Sequence, residues 1–173
     1  MKDKSATLML CRTALLSAVA LVLSVFECML PPLPFVLPGM KLGLSNLAVM
    51  LSLEICPLPC ALGIVLVKAF FTLLYRGVTA FFMSMAGGIL ATLGMYLLIK
   101  QKKVAFGCFG VGIWGAFLHN TGQLMVAYIL VSDAVFVYSF VLMCAALATG
   151  SLTALVYYIV LPKLKRIPLM DNL

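Results

Sequence analysis

The stretch Gly115-Ala116-Phe117-Leu118-His119-Asn120-Thr121-Gly122-Gln123 concentrates the groups best suited to hold another molecule. His119 is the single histidine of the protein, and it stands with Asn120 and Gln123 inside a long apolar segment. Hydrocarbon exacts several kcal/mol for such groups left unpaired, so something must compensate them. On a helix His119 and Gln123, four residues apart, share a face, and Asn120 sits about 100° round the axis. Gly115 and Gly122 leave room for another backbone or a ligand. Two readings stay open: an interhelical hydrogen-bond cluster that holds a bundle together, or a binding site. Lys68 is the other costly residue. It lies near the middle of an apolar run, where a lysine costs about 2.5 to 3.5 kcal/mol on insertion scales. It must snorkel, pair with Glu27 or Glu54 as a structural bridge, or meet a ligand.

Composition says what positions these groups. Hydrophobic residues make up 65% of the 173, charged residues only 10%, and the mean hydropathy is +1.21. A soluble chain of this length needs far more charge to cover its surface, and the apolar runs reach the ~20 residues that cross a bilayer. The expectation is an all-α integral membrane protein with one membrane domain over 1–173. The net charge of +7 falls in short clusters at the ends of apolar runs, the pattern of orientation signals and not of a stripe that tracks nucleic acid. Cys11, Cys28, Cys56, Cys60, Cys108 and Cys144 read as buried free thiols. Cys56-Pro-Leu-Pro-Cys60 has a paired-ligand spacing, but no second pair or nearby histidine completes a metal site.

Six spans are expected, at about 13–30, 44–56, 60–75, 79–99, 106–131 and 134–161. The first reads as a retained span, because no small-residue cleavage pattern follows it. Pro31-Pro32-Leu33-Pro34 and Pro38-Gly39 form a loop. The second helix, at roughly thirteen residues and ~20 Å, is too short to span comfortably; short helices at membrane depth tend to line cavities. Pro57 and Pro59 turn the chain into the third span, and Arg76-Gly77 closes it. On the fourth, Ser84-x-x-x-Gly88 and Gly87-x-x-x-Ala91 make a smooth packing face. Pro162 ends the sixth. With the N-terminus inside, Lys2, Lys4, Arg12, Lys100, Lys102, Lys103, Lys163, Lys165 and Arg166 face the cytoplasm, against Lys41 and Arg76 outside. The positive-inside rule therefore predicts N-in, C-in.

That orientation places Glu27, Asn46, Ser84, His119, Asn120 and Gln123 in the outer half, with Lys68 near the midplane and Glu54 toward the cytoplasm. A polar cup open to the outside, roofed by the proline-rich loop, suits a receptor for a small molecule. Lys41, Lys68 and Arg76 against Glu27 leave a positive surplus, which predicts an amphiphilic ligand with an anionic end. The sequence carries no aspartate-rich motif to hold magnesium against a diphosphate, no GxSxG elbow, no Walker lysine loop and no HExxH. The chain is expected not to be an enzyme by itself, to bind no cofactor or metal, and to need partners if it transports.

Three blocks carry a resemblance: Pro38-Gly39-Met40-Lys41-Leu42-Gly43-Leu44-Ser45-Asn46-Leu47, then Ser84-Met85-Ala86-Gly87-Gly88, then Gly115-Ala116-x-x-His119-Asn120-x-Gly122-Gln123. From about Arg12 to Leu161 the chain resembles the Gx transporter family, often labelled heptaprenyl diphosphate synthase component I, which is similar to the S components of energy-coupling factor (ECF) transporters. The resemblance implies a six-helix subunit of a bacterial cytoplasmic membrane that binds a micronutrient or precursor from outside, here an isoprenoid or quinone-related one. It implies docking on a membrane T component that carries two cytoplasmic ATPase subunits, which hydrolyse the ATP. Ala14-x-x-x-Ala18 on the first helix matches the docking pattern of S components. Ligand contacts then fall to His119, Asn120, Gln123, Lys68, Lys41, Asn46, Glu27 and Ser84. Lys68 stands where that pattern commonly has arginine, so a bidentate anion contact becomes a point-charge contact. The competing expectation is an accessory membrane subunit in polyprenyl diphosphate or quinone synthesis.

Overall fold

A computed structural model describes residues 2–29, 43–100, 107–131 and 135–167. Among them it forms six α-helices: α1 (Lys2–Met29), α2 (Asn46–Ile55), α3 (Leu58–Arg76), α4 (Val78–Lys100), α5 (Cys108–Val131) and α6 (Val135–Leu164). Helices are what an apolar chain of this kind requires, because each backbone amide finds its acceptor within its own segment. Four stretches, Ala6–Met29, Leu58–Arg76, Val78–Lys100 and Ser139–Leu164, are long and apolar enough to cross a membrane. α5 has 24 residues and rises about 36 Å, but its His-Asn-x-x-Gln stretch dilutes the apolar signal.

Several boundaries differ from the sequence expectation, each for a local reason. α1 starts at Lys2, eleven residues before the expected span, because no glycine or proline interrupts the chain between them. α3 takes Pro57 as its N-cap and holds Pro59 in its first turn, where the missing amide would have had no partner anyway. α6 runs through Pro162 to Leu164; the ladder resumes beyond the proline, with Lys165 donating its amide to Leu161 at 3.0 Å. Gly77, at φ 87°, turns α3 into α4.

α2 is the hub of the bundle. It touches each of the other five helices, whereas α1 and α6 have no contact with each other among the described residues. The helices α1, α3, α4, α5 and α6 therefore make an open ring around α2, which buries all of its ten residues except Leu53 and Glu54. A short helix, about 15 Å long, fills the centre of the bundle instead of only lining a cavity.

Glycines let the ring close tightly. A Cβ on Gly122 of α5 would stand 2.7 Å from Gly87 Cα of α4, and one on Gly115 would stand 2.6 Å from Met95 Sδ. The room at Gly115 and Gly122 is thus taken by α4 and not by a ligand. Gly112 and Gly150 bring α5 and α6 together in the same way. In lipid such close approach, through dispersion contacts, is what drives helices together.

Candidate functional site

The turn at Pro57 makes α2 and α3 antiparallel. Stepping back from it to Asn46 and forward to Lys68 covers similar rises of about 15 Å each, which sets the two residues side by side. Lys68 Nζ donates to Asn46 Oδ1 at 2.9 Å, with both residues buried. A hydrogen bond to a charged group contributes about 1.5 to 3 kcal/mol, close to the insertion cost of the lysine. Glu54 sits at the other end of α2, where Tyr157 Oη donates to its Oε1 at 2.8 Å and Lys165 Nζ lies 3.9 Å from its Oε2. It is not the partner of Lys68.

Glu27 arrives from the last turn of α1, and its Oε1 accepts the Leu44 amide. Two residues on, Asn46 opens α2. Gly43, at φ 89°, shapes the entry turn, a left-handed conformation that glycine adopts freely. The first amides of α2 are satisfied within this turn, Asn46 N–H by Gly43 O at 2.9 Å and Leu47 N–H by Leu44 O at 3.0 Å, so recognition falls to side chains.

His119 of α5 is seated between this turn and α4. A Cβ on Gly43 would stand 3.1 Å from His119 Cδ2 and from Asn46 Nδ2, and one on Gly87 would stand 2.6 Å from His119 O. Both positions must lack a side chain for the imidazole to lie there. Ser84, one turn from Gly88 on α4, and Gln123, one turn beyond His119 on α5, are buried on the same pair of helices. Asn120 points elsewhere: its Nδ2 donates to Leu142 O of α6 at 2.7 Å, the structural crosslink that was one of the two readings of this cluster.

The structure therefore brings Glu27, Asn46, Lys68 and His119 around Gly43 and Leu44, adds Ser84 and Gln123 along the α4 and α5 pair, and directs Asn120 to α6. Lys41 and the proline-rich loop lie outside the described residues. One expectation changes. The site residues do not line an open cup, since none of these seven is more than 8% exposed. Among the described residues the buried cluster holds one cation, Lys68, and one carboxylate, Glu27. Arg76 is eight residues further along α3, about 12 Å away.

Within the cluster Glu27 Oε2, Asn46 Nδ2 and Ser84 Oγ are buried without a hydrogen-bond partner, as is Asn120 Oδ1 beside α6. Most buried polar atoms in proteins are satisfied, so several on one set of residues single this cluster out within the bundle. Among the described residues no three His, Cys, Asp or Glu gather as metal ligands. Cys56 and Cys60 are free thiols. Cys11 and Cys144 are exposed and not buried as expected.

Sequence reasoning passed over three features. The backbone amide of Leu44 as the partner of Glu27 leaves no trace in residue types. Tyr157 looks like one more aromatic of an apolar helix, although Glu54 within the membrane domain signals a missing donor. Arg12 reads as an orientation signal, yet it is only 4% exposed and near Cys56, at the carbonyl end of α2, where a cation is favoured.

Ala14 and Ala18 lie on the exposed face of α1, while Ala20 and Ser24 of the same helix are fully buried. The small pair at Ala14 and Ala18 is thus not used within the bundle.

No curated protein and no solved structure matches the chain. The family model described as heptaprenyl diphosphate synthase component I matches residues 16–160, a span that takes in the second half of α1, the whole of α2 to α5, most of α6 and every described residue of the buried cluster. The chain belongs to the heptaprenyl diphosphate synthase component I family.

Proposed function

We propose that this chain is the substrate-binding membrane subunit, or S component, of an ECF-type ATP-dependent importer, capturing a small amphiphilic molecule with an anionic end. One observation carries the proposal: Lys68, held by Asn46 at the centre of the bundle, stands among buried polar atoms that the protein leaves unsatisfied. A helix bundle stabilised only by internal polar contacts has no reason to retain both an ammonium ion and orphaned acceptors and donors at one place. In this role α1 to α6 all lie at membrane depth, with both termini in the cytoplasm of a bacterium. Lys165 and Arg12 gather at the Cys56 end of α2, which supports a single basic side. The exposed Ala14 and Ala18 then offer a flat strip to a membrane T component, and two ATPase subunits bound to that component hydrolyse ATP. This chain supplies binding and not catalysis.

A second reading draws on the family description, which names a synthase component and so implies a partner subunit. In it the chain is an accessory membrane subunit of polyprenyl diphosphate or quinone synthesis, and the buried cluster holds an isoprenoid intermediate. The deciding experiment is a mild-detergent pull-down of the tagged chain from its native membrane with mass spectrometry. Recovery of a T component and two ATPases is the expected result. Recovery of a soluble prenyl synthase without ATPases would replace the importer with the accessory role.

A further inference from the structure

The atoms left unsatisfied in the cluster, taken with the receptor function proposed above, define the ligand more closely than its charge does. An ammonium group has only donors, so the Asn46 atom that meets Lys68 at 2.9 Å is the carbonyl oxygen, and the amide nitrogen is turned away as a donor. That nitrogen, Nδ2, is buried and meets no acceptor. The missing side chain of Gly43 keeps its surroundings clear, since a Cβ there would press within 3.1 Å of both Nδ2 and the His119 ring. Glu27 presents the opposite need. Its Oε1 takes the Leu44 amide, while Oε2 is buried and accepts nothing; an ionised carboxylate can only accept. Leu44 and Asn46, which anchor the two groups, lie within one helical turn, about 5.4 Å of rise. Ser84 Oγ, on α4, adds a hydroxyl able to play either part.

We propose that the molecule bound here is dipolar: it offers an anionic or carbonyl oxygen to Asn46 Nδ2 beside Lys68, and an N–H group, charged or neutral, to Glu27 Oε2. A zwitterion meets both needs and leaves the charges of the described cluster balanced; an N–H heterocycle bearing an acid meets both needs with one negative charge in excess. A prenyl diphosphate, or any nitrogen-free anion, meets only the first. It leaves Glu27 Oε2 without a donor and places a like charge near that carboxylate in a site shielded from water, where repulsion is strong.

The test uses the full-length chain in nanodiscs and four probes read by thermal shift and calorimetry. L-phenylalanine carries both groups on a phenyl body, 3-phenylpropionate lacks the amine, 2-phenylethylamine lacks the acid, and farnesyl diphosphate is the nitrogen-free anion. The expected result is binding of L-phenylalanine at least tenfold tighter than any of the other three. Glu27→Gln should reduce that preference over 3-phenylpropionate to less than threefold, and Glu27→Asp, which keeps the carboxylate, should restore most of it in a protein of comparable Tm. Equal or tighter binding of 3-phenylpropionate or farnesyl diphosphate overturns the assignment, as does binding of no probe, or a preference that survives Glu27→Gln. The pull-down separates this from the importer function. T component and ATPases recovered without a dipolar preference remove the ligand assignment alone, and a dipolar preference without those partners removes the importer alone.

Discussion

Lys68 Nζ and Asn46 Oδ1 lie 2.9 Å apart between the middle of a helix long enough to cross a membrane and the first residue of one too short to do so. Asn46 therefore serves α3 as much as α2: it is a group that helps make a buried ammonium ion tolerable. Replacing it takes a buried acceptor from that charge, whereas replacing both partners removes the need for either. Asn46→Leu is expected to lower stability by about 2 to 3 kcal/mol, and the Asn46→Leu/Lys68→Met double variant should regain most of that loss. Thermal unfolding of the two single variants and the double variant in one detergent gives the coupling directly. A double variant no more stable than Asn46→Leu would show that the lysine depends on its other contacts and not on Asn46.

The opposite end of α2 is fastened by Glu54, and its two partners are not equivalent. Tyr157 Oη reaches it at 2.8 Å from a residue only 6% exposed, whereas the Lys165 side chain is 52% exposed and its nitrogen stands 3.9 Å away. Solvent screening leaves such a surface pair about 0 to 1 kcal/mol, while a part-buried hydrogen bond to a carboxylate contributes up to about 1.5 to 3 kcal/mol. Tyr157→Phe should accordingly lower the Tm by clearly more than Lys165→Ala. The same two variants measured in high salt add a check, since only the Lys165 effect should shrink.

The helices and the polar cluster are legible in the sequence because both depend on residue type. Apolar runs ended by Arg76-Gly77 and by a lysine run mark the elements, and the cost of burying Lys68, His119 and Gln123 marks the site. What stays hidden depends on partners distant along the chain. Nothing about Asn46 announces that it will meet a lysine 22 residues later, and the direction of Asn120 toward Leu142 depends on a rotation of α5 that Gly122 and Gly87 fix by contact. Charge counting by depth overstated one contribution for a related reason. Lys68 and Arg76 count together in a tally by depth, but about two turns of α3 separate them. The open cup was inferred from depth alone, and depth does not record that α2 occupies the centre.

Glycines on different faces should answer differently to the same substitution. A Cβ at Gly122 would stand 2.7 to 2.8 Å from the backbone of Gly87 and Ala86, atoms that cannot swing aside, whereas one at Gly63 would meet nothing within 4 Å. Gly122→Ala should destabilise by about 1 to 3 kcal/mol through overpacking. Gly63→Ala, in the middle of α3, should be neutral or stabilise by up to about 1 kcal/mol through helix propensity. Equal Tm values for the two variants would mean that α4 and α5 are not in backbone contact.

The exposed strip on α1 makes the assembly testable apart from the fold. Ala18 faces outward and Ala20, two residues on, is fully buried in the bundle, so a tryptophan at each position asks a different question. Ala18→Trp adds bulk where this chain has nothing to displace. It should leave the Tm and probe binding of the purified subunit within experimental error while abolishing recovery of the T component and ATPases in the pull-down. Ala20→Trp should collapse stability, because the core has no room for a side chain of that size. Loss of recovery in Ala18→Trp together with loss of Tm would point to a folding defect in place of a docking face. Undiminished recovery with an intact fold would move the contact to another helix, and the Ala14 and Ala18 pair would then be a lipid-facing strip of α1.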